Sequence, residues 1–385
     1  MRKNTKLSET DKMDVPLRAT RALIHLDRFC RNLRAVRERI GPRRLICVPV
    51  KADGYGHGAA RIAEAALAAG ASHLAVAAVS EGAELRGAGI NAGILLLSQA
   101  MPEEIPEILR YGLTPLVSDR DYIEALARSA AAAGIRCPVH LKIDTGMGRL
   151  GCPPEEAPGL AAHIAAQKSL ICAGTATHLA AADSALPGDM AFTGEQLRRF
   201  RGAVERIRAA GMDPGVIHAA NSGGVLLHEE SWLDMVRPGI LLYGYNLTGA
   251  DFPVEPVMEL ISNVTFIKRV KQGESVSYGR TWISPRDTFI ATIPAGYGDG
   301  LPRRLSGNWQ ALIRGRLYPL AGRICMDQCM ADLGPETDIS RWEEVTVFGG
   351  GAPSAAEMAA RLGTIPYEIT CTINKRVPRV YMTGL

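Results

Sequence analysis

The feature that most constrains this chain is a rhythm. Between residues 45 and 244, short apolar runs rich in β-branched side chains recur roughly every 25–30 residues. They cover 45–50, 73–79, 93–97, 113–118, 139–143, 170–178, 216–220 and 235–243. The gaps between them are long enough for helices, most clearly at 59–69, 121–133 (stopped by Gly134) and 194–210 (stopped by Gly211). Strands joined by crossovers of that length form parallel βαβ units. Eight of them predict a closed (β/α)8 barrel, because open doubly wound sheets more often hold five or six strands.

After Tyr245 the texture changes. Prolines 253 and 256 interrupt the chain, and short alternating runs follow at 258–270, 288–294, 311–313, 317–321, 328–333 and 344–348. That pattern predicts a mostly antiparallel β domain. One short helix is expected at 354–362, with Ser354 as N-cap and Glu357 three residues on. The expected organisation is a polar arm (1–17), an α/β barrel (18–248) and a β-strand-rich C-terminal domain (249–385). The chain has 44 Lys+Arg against 40 Asp+Glu and a net charge of +4, too small and dispersed for a nucleic-acid surface. Its eight cysteines form no CxxC pair, so a reduced, cytoplasmic protein without metal is expected. No apolar h-region or spanning stretch is visible, and no membrane association is expected.

Reactive side chains of such a barrel sit at the C-terminal ends of strands. The first strand ends in Lys51, followed by Ala52-Asp53-Gly54-Tyr55-Gly56-His57-Gly58. A lysine there is either a snorkelling surface cation or, when partly desolvated, a usable amine nucleophile. The fifth strand carries Lys142 at a position that should face the packed interior. It must either snorkel out or be neutralised by a negative partner or a covalent modification. The following Gly146–Gly151 segment reads as GxGxxG, but Pro153 and Pro154 come next and no acid follows at the right distance. A dinucleotide site is therefore rejected. Strands six to eight supply His178, the Asn221-Ser222-Gly223-Gly224 turn, and Arg237-Pro238-Gly239-Ile240. Glycine-rich turns with a hydroxyl after strands seven and eight suit a phosphate. An amine, a phosphate cradle, an imidazole and a guanidinium in one mouth suggest pyridoxal 5'-phosphate.

Eight motifs spread from residue 48 to 381 carry a resemblance: VPVKADGYGHG (48–58), KIDTGMGRLG (142–151), HAANSGG (218–224), VRPGILLYG (236–244), VSYGRTW (276–282), GYGDG (296–300), GRICMDQ (322–328) and YEITCTINKRVPRVY (367–381). In this order they resemble the alanine racemases, fold-type III pyridoxal-phosphate enzymes, over residues from about 18 to 385. The resemblance implies that Lys51 carries the cofactor and serves as one catalytic base. It implies that Tyr278 is the opposing base, lent by the second subunit of a homodimer with shared active sites. Cofactor contacts would come from Tyr55, Asn221, Ser222, Tyr367 and the backbone of Gly239 and Ile240, with Arg237 facing the pyridine nitrogen and His178 beside the ring. Arg149 and the backbone amide of Met326 would meet the substrate carboxylate, with Lys142 carbamylated to orient Arg149. Asp183, Tyr297, Arg323 and Asp327 resemble access-channel residues. The implied reaction interconverts L- and D-alanine, supplying D-alanine for peptidoglycan. A racemase for serine or of broad specificity is the alternative on the same fold. A turnover-free pyridoxal-phosphate-binding barrel would lack VSYGRTW and GRICMDQ, and Cys371 lies within the racemase pattern rather than a decarboxylase one.

Overall fold

The computed structural model describes residues 18–383. They fall into two compact units, residues 29–54 with 59–255, and residues 18–28 with 55–58 and 256–383. In the first unit, eight parallel strands close into a barrel: β2 (Leu45–Pro49), β3 (His73–Val76), β4 (Gly93–Leu96), β5 (Thr114–Val117), β6 (Cys137–Lys142), β7 (Leu170–Ala176), β8 (Val216–His218) and β9 (Met235–Val236). Closure is made by β2 pairing with β9, Leu45 opposite Met235 and Ile46 opposite Val236. These strands are nearly continuous apolar runs because both their faces are covered, one by the barrel interior and one by helices. Helices occupy every gap, among them Ala59–Ala68, Arg120–Ala132 and Pro187–Ala209.

The eighth run was expected to be a strand through residue 243, but pairing stops at Val236. Pro238 has no N–H for a ladder, and the next residues close turns instead, with Leu242 N donating to Gly239 O and Tyr243 N to Ile240 O.

The second unit begins earlier in the chain than expected. Strand β1 (Arg21–His25) does not belong to the barrel. It lies between two strands of the C-terminal sheet, antiparallel to β10 (Met258–Asn263) and parallel to the final strand (Arg379–Met382). Its alternating burial, with Ala22 and Ile24 inward, is the mark of a sheet with one packed face. The boundary expected at 248 falls at 255/256, and residues 55–58 group with the second unit. There Arg379 Nε donates to Gly56 O at 3.0 Å, and a Cβ on Gly56 would lie 2.0 Å from Thr370 O. The rest is mostly antiparallel: β11 (Phe266–Val270), β14 (Thr288–Ile293) and β17 (Cys329–Gly334) form a three-stranded sheet, and β12 (Ser275–Val276) pairs with β13 (Trp282–Ile283). In the six-stranded sheet with β1 and β10, β15 (Gln310–Ile313) joins β16 (Arg316–Pro319) to β18 (Glu344–Phe348). The helix Ala355–Leu362 starts with a reciprocal cap, Glu357 N on Ser354 Oγ at 3.2 Å and Ser354 N on Glu357 Oε2 at 2.7 Å. The arm at 1–17 lies outside the described residues. Among the described residues no helix is long and apolar enough to cross a membrane.

Candidate active site

Lys51 follows β2 by two residues and opens a turn of unusual hand. Ala52, Asp53, Gly54 and Tyr55 all have φ between +51° and +59°. One left-handed turn is closed by Gly54 N donating to Val50 O at 2.8 Å, and Asp53 Oδ1 accepts from Ala59 N at 2.9 Å. For the residues with a Cβ this conformation costs on the order of 1–2 kcal/mol each, strain of the kind that persists where surrounding structure over-determines it. Its effect is to turn the chain sharply at the barrel rim directly beside the lysine.

Arg237, the residue after β9, is almost wholly buried. Its guanidinium donates to the carbonyls of Thr177 (2.8 Å) and Ala219 (3.0 Å), to His218 Nδ1, and to His178 Nδ1 at 3.4 Å. Because guanidinium can only donate, both imidazole Nδ1 atoms must be unprotonated. His218 then carries its proton on Nε2 and donates it to His140 Nδ1 at 2.7 Å, so His140 is neutral as well. Burial and then the Arg237 charge hold His178 and His218 well below the usual imidazole range, and burial pushes His140 down to about 3. Arg237 itself is lowered to about 10 by its burial.

Lys142 ends β6 and does not snorkel. It is 5% exposed, and its Nζ donates to Ile143 O at 2.8 Å. Burial first, and Arg237 second, lower it to about 8. Beyond it, the Asp144 carboxylate gathers the N–H groups of Gly146, Met147 and Gly148 at 2.8–2.9 Å, shaping the loop that presents the exposed Arg149. The charges of Arg237, Arg149, Lys142 and Lys51 all bear on His178. Positive charge therefore prevails around this imidazole, with Arg237 in contact with it, an arrangement that favours an anionic ligand.

The turn after β8 completes this mouth. Ser222 Oγ accepts from Gly239 N at 2.9 Å and Leu241 N at 3.3 Å, leaving its O–H to donate outward. Asn221 is committed within the fold. Its Oδ1 caps the helix Ser222–Leu227 through Gly224 N, and its Nδ2 donates to Leu179 O. A Cβ on Gly223 would come within 2.5 Å of the Ala182–Asp183 backbone, so that loop, with exposed Asp183, closes onto bare backbone. A hydroxyl, glycine backbone and surplus positive charge beside an amine are the donor set a phosphorylated pyridine aldehyde needs, so the residues fit that cofactor.

In the second unit, buried Tyr55 packs against Tyr367 with ring centroids 5.6 Å apart, and burial pushes its hydroxyl far up. Tyr367 rides on a helix, Pro366–Cys371, that the sequence reading did not anticipate. The remaining expected residues share one surface of this unit. Tyr278 is 70% exposed on a tight turn, where Ser277 Oγ donates to Arg323 O at 2.6 Å and Gly279 leaves room for the Arg323 guanidinium. Met326 is 53% exposed, its carbonyl accepting from Gly298 N at 2.8 Å and Arg376 Nη2 at 3.3 Å, while Tyr297 N donates to Cys325 O. Asp327 pairs with Arg376 at 2.8 Å, and Arg376 is anchored on the fully buried Asp299 at 2.7 Å. Arg376 and the buried Gln196, which ties His178 O, Ala180 N and Thr145 together, are supports that the sequence reading missed. A buried glutamine on a helix leaves no local signal.

An amine, an imidazole and a guanidinium at the strand ends of a closed barrel, with a glycine-rich turn carrying a hydroxyl beside them, place the chain among the (β/α)8-barrel enzymes. The profile of the alanine racemase N-terminal domain matches residues 24–247, and that of the C-terminal domain matches residues 257–381. The alanine racemase of Treponema denticola is 48% identical over 375 residues, covering 95% of this chain and 99% of that protein. An alanine racemase structure from Clostridium difficile superposes with TM-score 0.91 at 33% identity, covering 96% of this chain and 97% of that one. One from Bacillus anthracis with bound L-Ala-P gives 0.89 at 32%, covering 96% of each. This chain belongs to the alanine racemase family, a family of isomerases.

Proposed function

We propose that the protein interconverts L- and D-alanine with pyridoxal 5'-phosphate, using Lys51 and a Tyr278 from a second copy as opposing bases. The observation that carries this reading is the buried Arg237 guanidinium held on His178 and His218 at the strand ends, with the Ser222 hydroxyl on the Gly239 turn and Lys51 at the end of β2. Lys51 would hold the cofactor through its amine. Ser222 with the backbone of Gly239 and Ile240, together with Tyr55 and Tyr367, would hold its phosphate, and Asn221 would keep the Ser222 turn in shape. When bound, the cofactor withdraws electrons from the amino acid and makes its Cα hydrogen acidic.

Inverting Cα requires a proton taken from one face and another returned to the opposite face, so two bases must flank the carbon. Lys51 Nζ serves one face and Tyr278 Oη the other. Arg237 is a donor that cannot accept a proton, so it would keep a pyridine nitrogen bound to it unprotonated. That would restrain electron withdrawal and favour return of the proton at Cα over side reactions. Arg149 and the Met326 amide bind the substrate carboxylate. At a pKa of about 8, Lys142 has a neutral fraction able to add carbon dioxide, giving a carbamate and releasing a proton. The carbamate pairs with Arg149, replacing a buried cation by an anion. Asp183, Tyr297, Arg323 and Asp327 line the approach. The product D-alanine serves peptidoglycan assembly in the cytoplasm.

The test is incubation of the purified holoenzyme with single enantiomers of alanine and a panel of other amino acids in deuterium oxide. Both alanine enantiomers should converge on equal amounts with deuterium at Cα. Faster conversion of serine would reassign the substrate, and absence of Cα exchange with every amino acid would refute the racemase reading.

A further inference from the structure

We infer that Glu81 is a positioning residue for Lys51, a role that rests on the proposed function of that lysine. Glu81 lies in the helix Val79–Gly87, which follows β3. Its Oε2 accepts from the N–H groups of Ala77 (2.8 Å) and Ala78 (3.1 Å), stapling the helix start to the end of β3. Its Oε1 reaches across to the end of β2 and accepts from Ala52 N at 2.6 Å. Ala52 is the residue after Lys51 and sits at φ 51°, ψ 51°, where a side chain with Cβ is strained. One carboxylate therefore ties two neighbouring strand ends together at the rim and holds the left-handed turn that aims the lysine.

Lys51 is held from both sides. Before it, Val50 N donates to Ala75 O at 2.8 Å, continuing the β2–β3 ladder. After it, the hold on the peptide comes from Glu81, through a hydrogen bond to an ionised acceptor, the strong kind. The proposed chemistry assigns the side chains of Ala52, Ala77, Ala78 and Glu81 no contact with substrate. The effect of Glu81 is exerted through the direction of the Lys51 side chain. Proton transfer is sensitive to such aim, and misplacement of a reacting group by about 1 Å costs on the order of a hundred-fold in rate.

The experiment compares holoenzymes of the native chain, Glu81→Gln, Glu81→Gln combined with Ala52→Gly, and Glu84→Gly. Glu84→Gly weakens the same helix at an exposed position away from Lys51. The readouts are kcat and KM for alanine, the rate at which hydroxylamine strips the cofactor from Lys51, the pH midpoint of its visible band, and the thermal midpoint. Glu81→Gln should lower kcat by roughly ten- to a hundred-fold, leave KM within about two-fold, and speed stripping by a similar factor. Adding Ala52→Gly should recover part of the loss, because glycine adopts the left-handed conformation without strain. Glu84→Gly should lower the thermal midpoint and leave the other readouts unchanged. If Glu81→Gln changes only the thermal midpoint, as Glu84→Gly does, the positioning role is wrong while Lys51 keeps its assignment. If the native chain carries no cofactor at Lys51, the proposed function falls and this inference with it.

Discussion

Acidification should destabilise this protein in a window dominated by three buried histidines, with half-buried His73, lowered by its burial, acting in the same direction. His140, His178 and His218 each accept a hydrogen bond in the fold, two of them from Arg237 and one from His218, so each is neutral. Their folded pKa values lie below the ordinary imidazole value, so the unfolded chain binds more protons and stability rises with pH. The contribution is fully present above about pH 7 and is lost as pH falls through 6.5 toward the folded values. Between pH 7.5 and pH 5 each imidazole contributes a loss of about 2 kcal/mol, roughly 6 kcal/mol for three. That is a large share of a typical stability of about 5–15 kcal/mol. Depressed carboxylates such as Glu259 act at lower pH and leave this window to the imidazoles. Urea unfolding of the cofactor-stripped protein at fixed pH measures the loss. Proton uptake on unfolding at pH 5.5 should approach about three in excess of the exposed histidines. His140→Asn should reduce the uptake by about one. Equal stability at pH 7.5 and 5.5, or uptake of less than one proton, would refute the hydrogen-bond assignment along the barrel interior.

Arg237→Met strands two carbonyls and two imidazole nitrogens, at about 1–3 kcal/mol for each well-formed bond, while relieving the burial of a cation. A net loss of about 2–4 kcal/mol is expected in urea unfolding, together with a rise in the His178 pKa visible by NMR titration. Borohydride reduction of the holoenzyme should place the label on Lys51, and a labelled peptide elsewhere would remove that residue from its role. Lys51→Ala and Tyr278→Ala should each be inactive alone. After subunit exchange, half the dimers are mixed and each has one intact site, so about a quarter of native activity should return. No return with exchange verified would place both bases in one chain.

The barrel was legible because eight buried strands at crossover spacing leave a period that few folds share, and the Ser354–Glu357 cap was legible because both partners lie in one turn. Strand β1 was not legible as part of the C-terminal sheet: its partner Met258–Asn263 lies far along the chain, and alternation alone does not say which sheet a strand joins. Asp327 illustrates the same limit. Its partner Arg376, at 2.8 Å, lies far along the chain, and no local pattern pairs the two.

The sequence by itself determined most element types, their order and which polar side chains stand at the strand ends, because apolar period, turn residues and motif spacing are local properties. Only tertiary structure decided that Lys142 stays buried, that two imidazoles are held as acceptors by one guanidinium and a third by one of those two, and that four backbone residues beside Lys51 turn left-handed. Those features depend on which groups from distant strands meet at the rim. Desolvation, charge coupling and strain are set by neighbours in space, and a linear pattern does not contain them.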